Sequence, residues 1–161
     1  MKISFVLNGE PVEIDTMPHR RTLDLLRESF QIRSIYYRCN NRGCGLCLIL
    51  LDGNPMHSCL IPAFELRLRD IWTMEGISAR KEFEDLVAGF ELANAKLCSF
   101  CAPSRALVAE ALLKSALNPD MKQLRFTAEA VKCSCNSTLG IIDGLEKAAK
   151  FRRERLRVSK V

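Results

Sequence analysis

The sequence has no long apolar run. Its longest, Leu46 to Leu51, covers six residues, far short of the ~18 needed to cross a bilayer. A membrane span is therefore not expected, and that run reads as a buried strand. The N-terminal segment Met1-Lys2-Ile3-Ser4-Phe5-Val6-Leu7 lacks the apolar core, small-residue cleavage site or twin arginine of an export signal. The expectation is a cytoplasmic protein. Histidine is also scarce, with only His19 and His57, so imidazole cannot dominate any metal site. His57 reads as a solvent-facing strand residue. Aromatics make up 7% of the chain.

Charge is unevenly spread. From Lys147 onward there are seven basic residues against one acidic, a net +6 that exceeds the whole chain's +5 and leaves residues 1–146 at −1. Phe151 is the tail's only aromatic, so no stacking platform accompanies the charge. Nucleic acid is not an expected partner, and the tail reads as a solvated face or a patch for an acidic protein.

The two halves differ in period. Ile3, Phe5 and Leu7 alternate, as do Val12 and Ile14, with Asn8-Gly9 between them as a two-residue hairpin turn. A helix is expected over 22–29 with Thr22 as N-cap, then a strand at 48–51 and short strands near 56–58 and 70–73. Beyond Gly76 the spacing becomes helical: Phe83, Leu86, Val87 and Phe90, then Leu107, Val108, Ala111 and Leu112, then Met121 and Leu124, then Leu139, Ile142 and Leu145. Asn118-Pro119 reads as a helix start. The expected organisation is α+β, with domains at 1–76 and 77–161.

What the chain has in quantity is cysteine, eight in all. In a reducing compartment these are not expected to be disulfides. Cys39, Cys44 and Cys47 follow the C-x4-C-x2-C spacing of plant-type [2Fe–2S] loops, and Cys59 follows as the fourth. Four thiolates must wrap one side of a small cluster, and Gly43 and Gly45 give the backbone that freedom. The remaining four are Cys98, Cys101, Cys133 and Cys135, each pair just before an expected helix. Helix N-termini offer unpaired N–H groups to an anionic centre. Zinc is the competing metal, in a cysteine-rich interaction module, although x4 and x1 spacings fit zinc pairs poorly.

Taken in order, these eight cysteines resemble the small iron–sulfur subunit of the xanthine dehydrogenase and carbon monoxide dehydrogenase family of molybdenum hydroxylases. Leu23-Asp24-Leu25-Leu26-Arg27, Cys44-Gly45-Leu46-Cys47, Thr73-Met74-Glu75-Gly76 and Phe100-Cys101-Ala102-Pro103 add to the likeness. The resemblance implies a β-grasp ferredoxin-like domain followed by a four-helix domain, two [2Fe–2S] clusters, and no substrate site on this chain. It implies electron flow from a molybdopterin-binding large subunit to the helical-domain cluster, then to the ferredoxin-type cluster, then to an FAD-binding medium subunit. A diverged cluster-bearing subunit serving another partner is the alternative within this class. The chain departs from the family pattern where Leu97 replaces a glutamine that reaches the pterin. Arg38, Asn40 and Arg42 stand where the family has glycine, and Cys133-Ser134-Cys135-Asn136-Ser137-Thr138 replaces Cys-Arg-Cys-Thr-Gly-Tyr.

Overall fold

Alternation puts Ile3, Phe5 and Leu7 on one face of the first strand, β1 (Lys2–Leu7), where all three are buried. The structure, a computed structural model, describes residues 1–39 and 43–158. Asn8 and Gly9 both have positive φ, 53° and 90°, which turns β1 tightly back into β2 (Glu10–Asp15), with Leu7 opposite Glu10. Helix α1 (Thr22–Ser29) follows. Its N-cap is Arg21, not Thr22, whose side chain is buried as the first helical residue. Strand β3 (Leu48–Leu51) is the apolar run, β4 (Asn54–His57) pairs with it as an antiparallel hairpin, and β5 (Asp70–Trp72) closes the sheet. The strand order is β2-β1-β5-β3-β4, with β1 and β5 parallel. Leu23, Leu25 and Leu26 of α1 pack with Ile3, Phe5, Ile49 and Ile71 in one core.

Five helices come next: α2 (Met74–Ser78), α3 (Phe83–Leu92), α4 (Ala102–Ser115), α5 (Met121–Glu129) and α6 (Thr138–Val158). Helix α5 starts at Asp120 rather than at Asn118. The Asp120 side chain accepts from the Gln123 N–H at 2.8 Å while Gln123 Oε1 accepts from the Asp120 N–H at 2.9 Å, a reciprocal cap that satisfies two otherwise unpaired donors. Helices α3 and α6 touch through small residues: a Cβ on Gly89 would lie 2.4 Å from the Ala148 nitrogen, and one on Gly144 would lie 2.6 Å from the Phe90 ring. Leu86, Phe90, Leu107, Leu113, Leu124 and Leu145 form the second core.

The basic stretch is turned inward at two positions. Arg152 is buried, pairing with Asp85 and, at 2.8 Å, with Glu110, both also buried, and Arg155 adds a 2.9 Å contact to Asp85. Two of the tail's cations are thus consumed internally and depart from the sequence reading of a solvated basic face. Among the described residues, no helix is long and apolar enough to cross a membrane.

Asn8 and Glu75 clamp the sheet and the α1 end to the start of the helical half. Asn8 Oδ1 accepts from the Thr73 N–H at 2.8 Å and Asn8 Nδ2 donates to Thr73 Oγ1 at 3.0 Å. The Glu75 carboxylate accepts from the Arg33 and Ser34 backbone N–H groups and from the Ser34 and Thr73 hydroxyls.

Candidate metal centres

Cys98 and Cys101 lie in the turn that leads into α4, and Cys133 and Cys135 lie between α5 and α6. Packing of α4 on α5 brings the pairs together across a gap of thirty-one residues in sequence. The four Sγ atoms all lie within 4.8 Å of one another. Cys98 Sγ is 3.6 Å from both Cys101 Sγ and Cys133 Sγ, and Cys101 Sγ is 3.4 Å from Cys135 Sγ. Among the described residues no imidazole or carboxylate joins this group, so the donor set is purely soft, the kind that selects iron–sulfur clusters or zinc. A tetrahedral zinc with Zn–S of about 2.3 Å would set its sulfurs about 3.8 Å apart, and two thiolates on one tetrahedral iron lie about as close, so these short pairs do not separate the two.

The thiols differ in acidity. The backbone N–H of Cys101 pulls the Cys98 thiol down to about 6, whereas burial pushes the Cys101 thiol up to about 12. A cysteine must lose this proton to bind metal, and the cation supplies the driving force.

At the first set, Cys47 Sγ lies 3.3 Å from Cys59 Sγ, and the Cys44 N–H points at Cys39 Sγ at 3.5 Å. Burial first, and the nearby Cys47, Cys39 and Cys44 after it, push the Cys59 thiol up to about 12. The set is thus held as two near pairs, Cys47 with Cys59 and the Cys44 backbone against Cys39. Asn40 and Arg42 fall outside the described residues. Gly43 and Gly45 have φ of 59° and 75°, the left-handed region where glycine is unstrained. Gly45 has a second duty that spacing did not reveal: a Cβ there would lie 2.3 Å from the Ala130 carbonyl oxygen. Beside it the Lys132 N–H donates to the Cys44 carbonyl at 3.0 Å. A ligand candidate of one set is thus tied by one hydrogen bond to the residue before a candidate of the other. Leu46, Leu48, Val108 and Val131 form a small apolar cluster between the two sets, with half-buried Leu97 against it.

One residue takes a place that differs from its sequence reading. His57 is half-buried, with Nδ1 3.7 Å from Cys47 Sγ, rather than facing solvent. Nearby, Asp24 pairs with Arg21 at 2.7 Å, and Arg27 donates to the Ile35 carbonyl. Tyr36 packs edge-on against Phe100, and Tyr37 lies under the Arg21 guanidinium.

A ferredoxin-like sheet with a C-x4-C-x2-C loop, continued by helices that gather four more thiols, defines the class of iron–sulfur electron carriers. Residues 5–70 match the family described as "2Fe-2S iron-sulfur cluster binding domain". The chain is 31% identical to one of the nicotinate dehydrogenase subunits of Pseudomonas putida over 152 residues, covering 94% of this chain and 97% of that one. It is 32% identical to the nicotinate dehydrogenase small FeS subunit of Eubacterium barkeri, covering 86% and 88%. A chain of the quinoline 2-oxidoreductase crystal structure from Pseudomonas putida 86 superposes with a TM-score of 0.84 at 30% identity, covering 96% of each. The protein belongs to the small iron–sulfur subunits of the xanthine dehydrogenase-like molybdenum hydroxylases. It is an oxidoreductase subunit that carries a [2Fe–2S] cluster and transfers electrons.

Proposed function

We propose that the chain holds two [2Fe–2S] clusters, one on Cys39, Cys44, Cys47 and Cys59 and the other on Cys98, Cys101, Cys133 and Cys135. Through them it passes electrons from a molybdopterin-binding large subunit to an FAD-binding medium subunit. The observation that carries this reading is the convergence of the four later thiols within 4.8 Å, in a chain whose other four lie inside the matched segment. The clusters, when bound, supply one-electron redox chemistry; the residues supply its surroundings.

On this reading the helical set takes electrons first and the ferredoxin-type set passes them on. Gly43 and Gly45 let the first loop close, and the Cys44–Lys132 hydrogen bond holds the two sets side by side. The functional division is a ferredoxin-like domain at 1–76 and a four-helix domain at 77–161, in the cytoplasm. Relatives named for nicotinate and quinoline favour a nitrogen heterocycle as the complex's substrate, oxidised on the large subunit. Leu97 offers no hydrogen bond toward a pterin and instead packs among apolar neighbours.

Absorption of aerobically purified protein tests the proposal. Visible bands with about four iron and four labile sulfide per chain are expected for two such clusters. A colourless, zinc-containing chain would sink it, and iron near two per chain would remove the helical-domain cluster.

A further inference from the structure

Arg105 lies one helical turn beyond Cys101 on α4, and it is only 4% exposed. Its Nη1 donates to the Ala128 carbonyl and its Nη2 to the Val131 carbonyl, each at 2.9 Å. Its Nε is buried without a partner. Among the described residues no carboxylate forms an ion pair with it, and the buried acids of this half, Asp85 and Glu110, are both engaged by Arg152. A cation taken out of water needs an anion nearby.

One role is evident at once. The two carbonyls close the C-terminal end of α5, where a basic group is favoured. That accounts for both Nη groups, but not for the unpaired Nε or for the buried charge. The anion is found in the neighbouring thiols. Residues four apart on a helix share a face, and the Arg105 backbone N–H donates to the Cys101 carbonyl at 2.9 Å, one turn from that fully buried thiol. Val131, which it also holds, stands two residues before Cys133. The charge therefore sits against both segments that bring cysteines to the second set.

We propose that Arg105 is the internal counter-cation of the Cys98–Cys101–Cys133–Cys135 centre, a positioning residue that raises its reduction potential. Reduction adds negative charge, and a fixed buried cation favours the more negative state. This rests on the two-cluster reading of the chain.

The test is an EPR-monitored redox titration of the full chain, purified with its clusters and any subunits that accompany it. In Arg105→Gln the second cluster is expected to shift at least about tenfold toward its oxidised form at a given ambient potential, a fall of about 59 mV for a one-electron couple. The ferredoxin-type cluster should stay put and serve as the internal reference. Arg105→Lys keeps the charge and should remain within about threefold of the unmodified protein. An unmoved potential in Arg105→Gln overturns the proposal. Should that variant lose its clusters, Arg105→Lys decides: a value near the unmodified protein's supports a charge effect, and a tenfold fall with the charge retained refutes it. An unmodified chain with a single EPR-active cluster defeats the two-cluster reading itself, and this proposal with it.

Discussion

The two cysteine sets solve one chemical problem by different means. The first is local: three of its four thiols come from one loop of nine residues, and glycines at positive φ let that loop bend. The second is tertiary: its two pairs meet only because α4 packs on α5, and buried Arg105 bridges from one helix to the end of the other. A local site depends on backbone conformation, so it is sensitive to what a loop residue can adopt. A tertiary site depends on helix packing, and it fails when the helices separate.

Perturbing the helical half far from any cysteine tests this contrast most severely. Arg152→Ala leaves Glu110 buried without its cation and strips Asp85 of one of two. It should cost about 3–5 kcal/mol, the usual penalty for breaking a buried pair. In urea titrations followed by cluster absorbance, the second set's signal should bleach at lower urea while the first persists; simultaneous loss would contradict the contrast.

Gly45→Ala should instead touch both sets. It imposes a left-handed conformation on alanine and drives a methyl into the Ala130 carbonyl. The two penalties together come to about 2–4 kcal/mol. Both cluster signals should weaken by EPR, whereas damage confined to the first set would show that the contact is slack.

The smallest effect belongs to the sheet side. Burial raises the Glu75 carboxyl, but hydrogen bonds from Ser34 and Thr73 outweigh it and hold its pKa below the ordinary carboxylate value. A lowered folded-state pKa gives stability that is present above the unfolded pKa of about 4.3 and is lost as pH falls through the folded value. Glu75→Gln should therefore cost about 1 kcal/mol near neutrality, discounted for exposure. That difference from the unmodified protein should shrink as acid is added, measured by urea midpoints at several pH values. A constant difference down to low pH would remove the carboxylate from this role.

How much was legible tracks the same divide. Alternation of Ile3, Phe5 and Leu7, the Asn8-Gly9 turn and the apolar β3 run expose the sheet directly, because strand patterns and turn residues act over a few positions. The C-x4-C-x2-C loop is equally local. The second set was accessible chiefly through resemblance, since nothing in the thirty-one intervening residues states that α4 and α5 will pack. Arg105 was invisible, because an arginine within a helix ordinarily reaches solvent, and its burial depends on carbonyls at the end of another helix. Arg152 and Arg155 misled for the same reason, their acid partners lying some forty to seventy residues away. The cap at Asp120 lost to the more conspicuous Asn118-Pro119 because its strength lies in the reciprocal bond from Gln123.

The hydrogen bond from Lys132 to the Cys44 carbonyl, with Gly45 against Ala130, has a thermodynamic consequence as well as a spatial one. Order imposed on either loop lowers the entropic cost of ordering the other, and such linkage is reciprocal by necessity. Whatever factor a filled first site adds to metal retention at the second, the second returns to the first. Loss of iron from one site should therefore weaken its retention at the other without abolishing it.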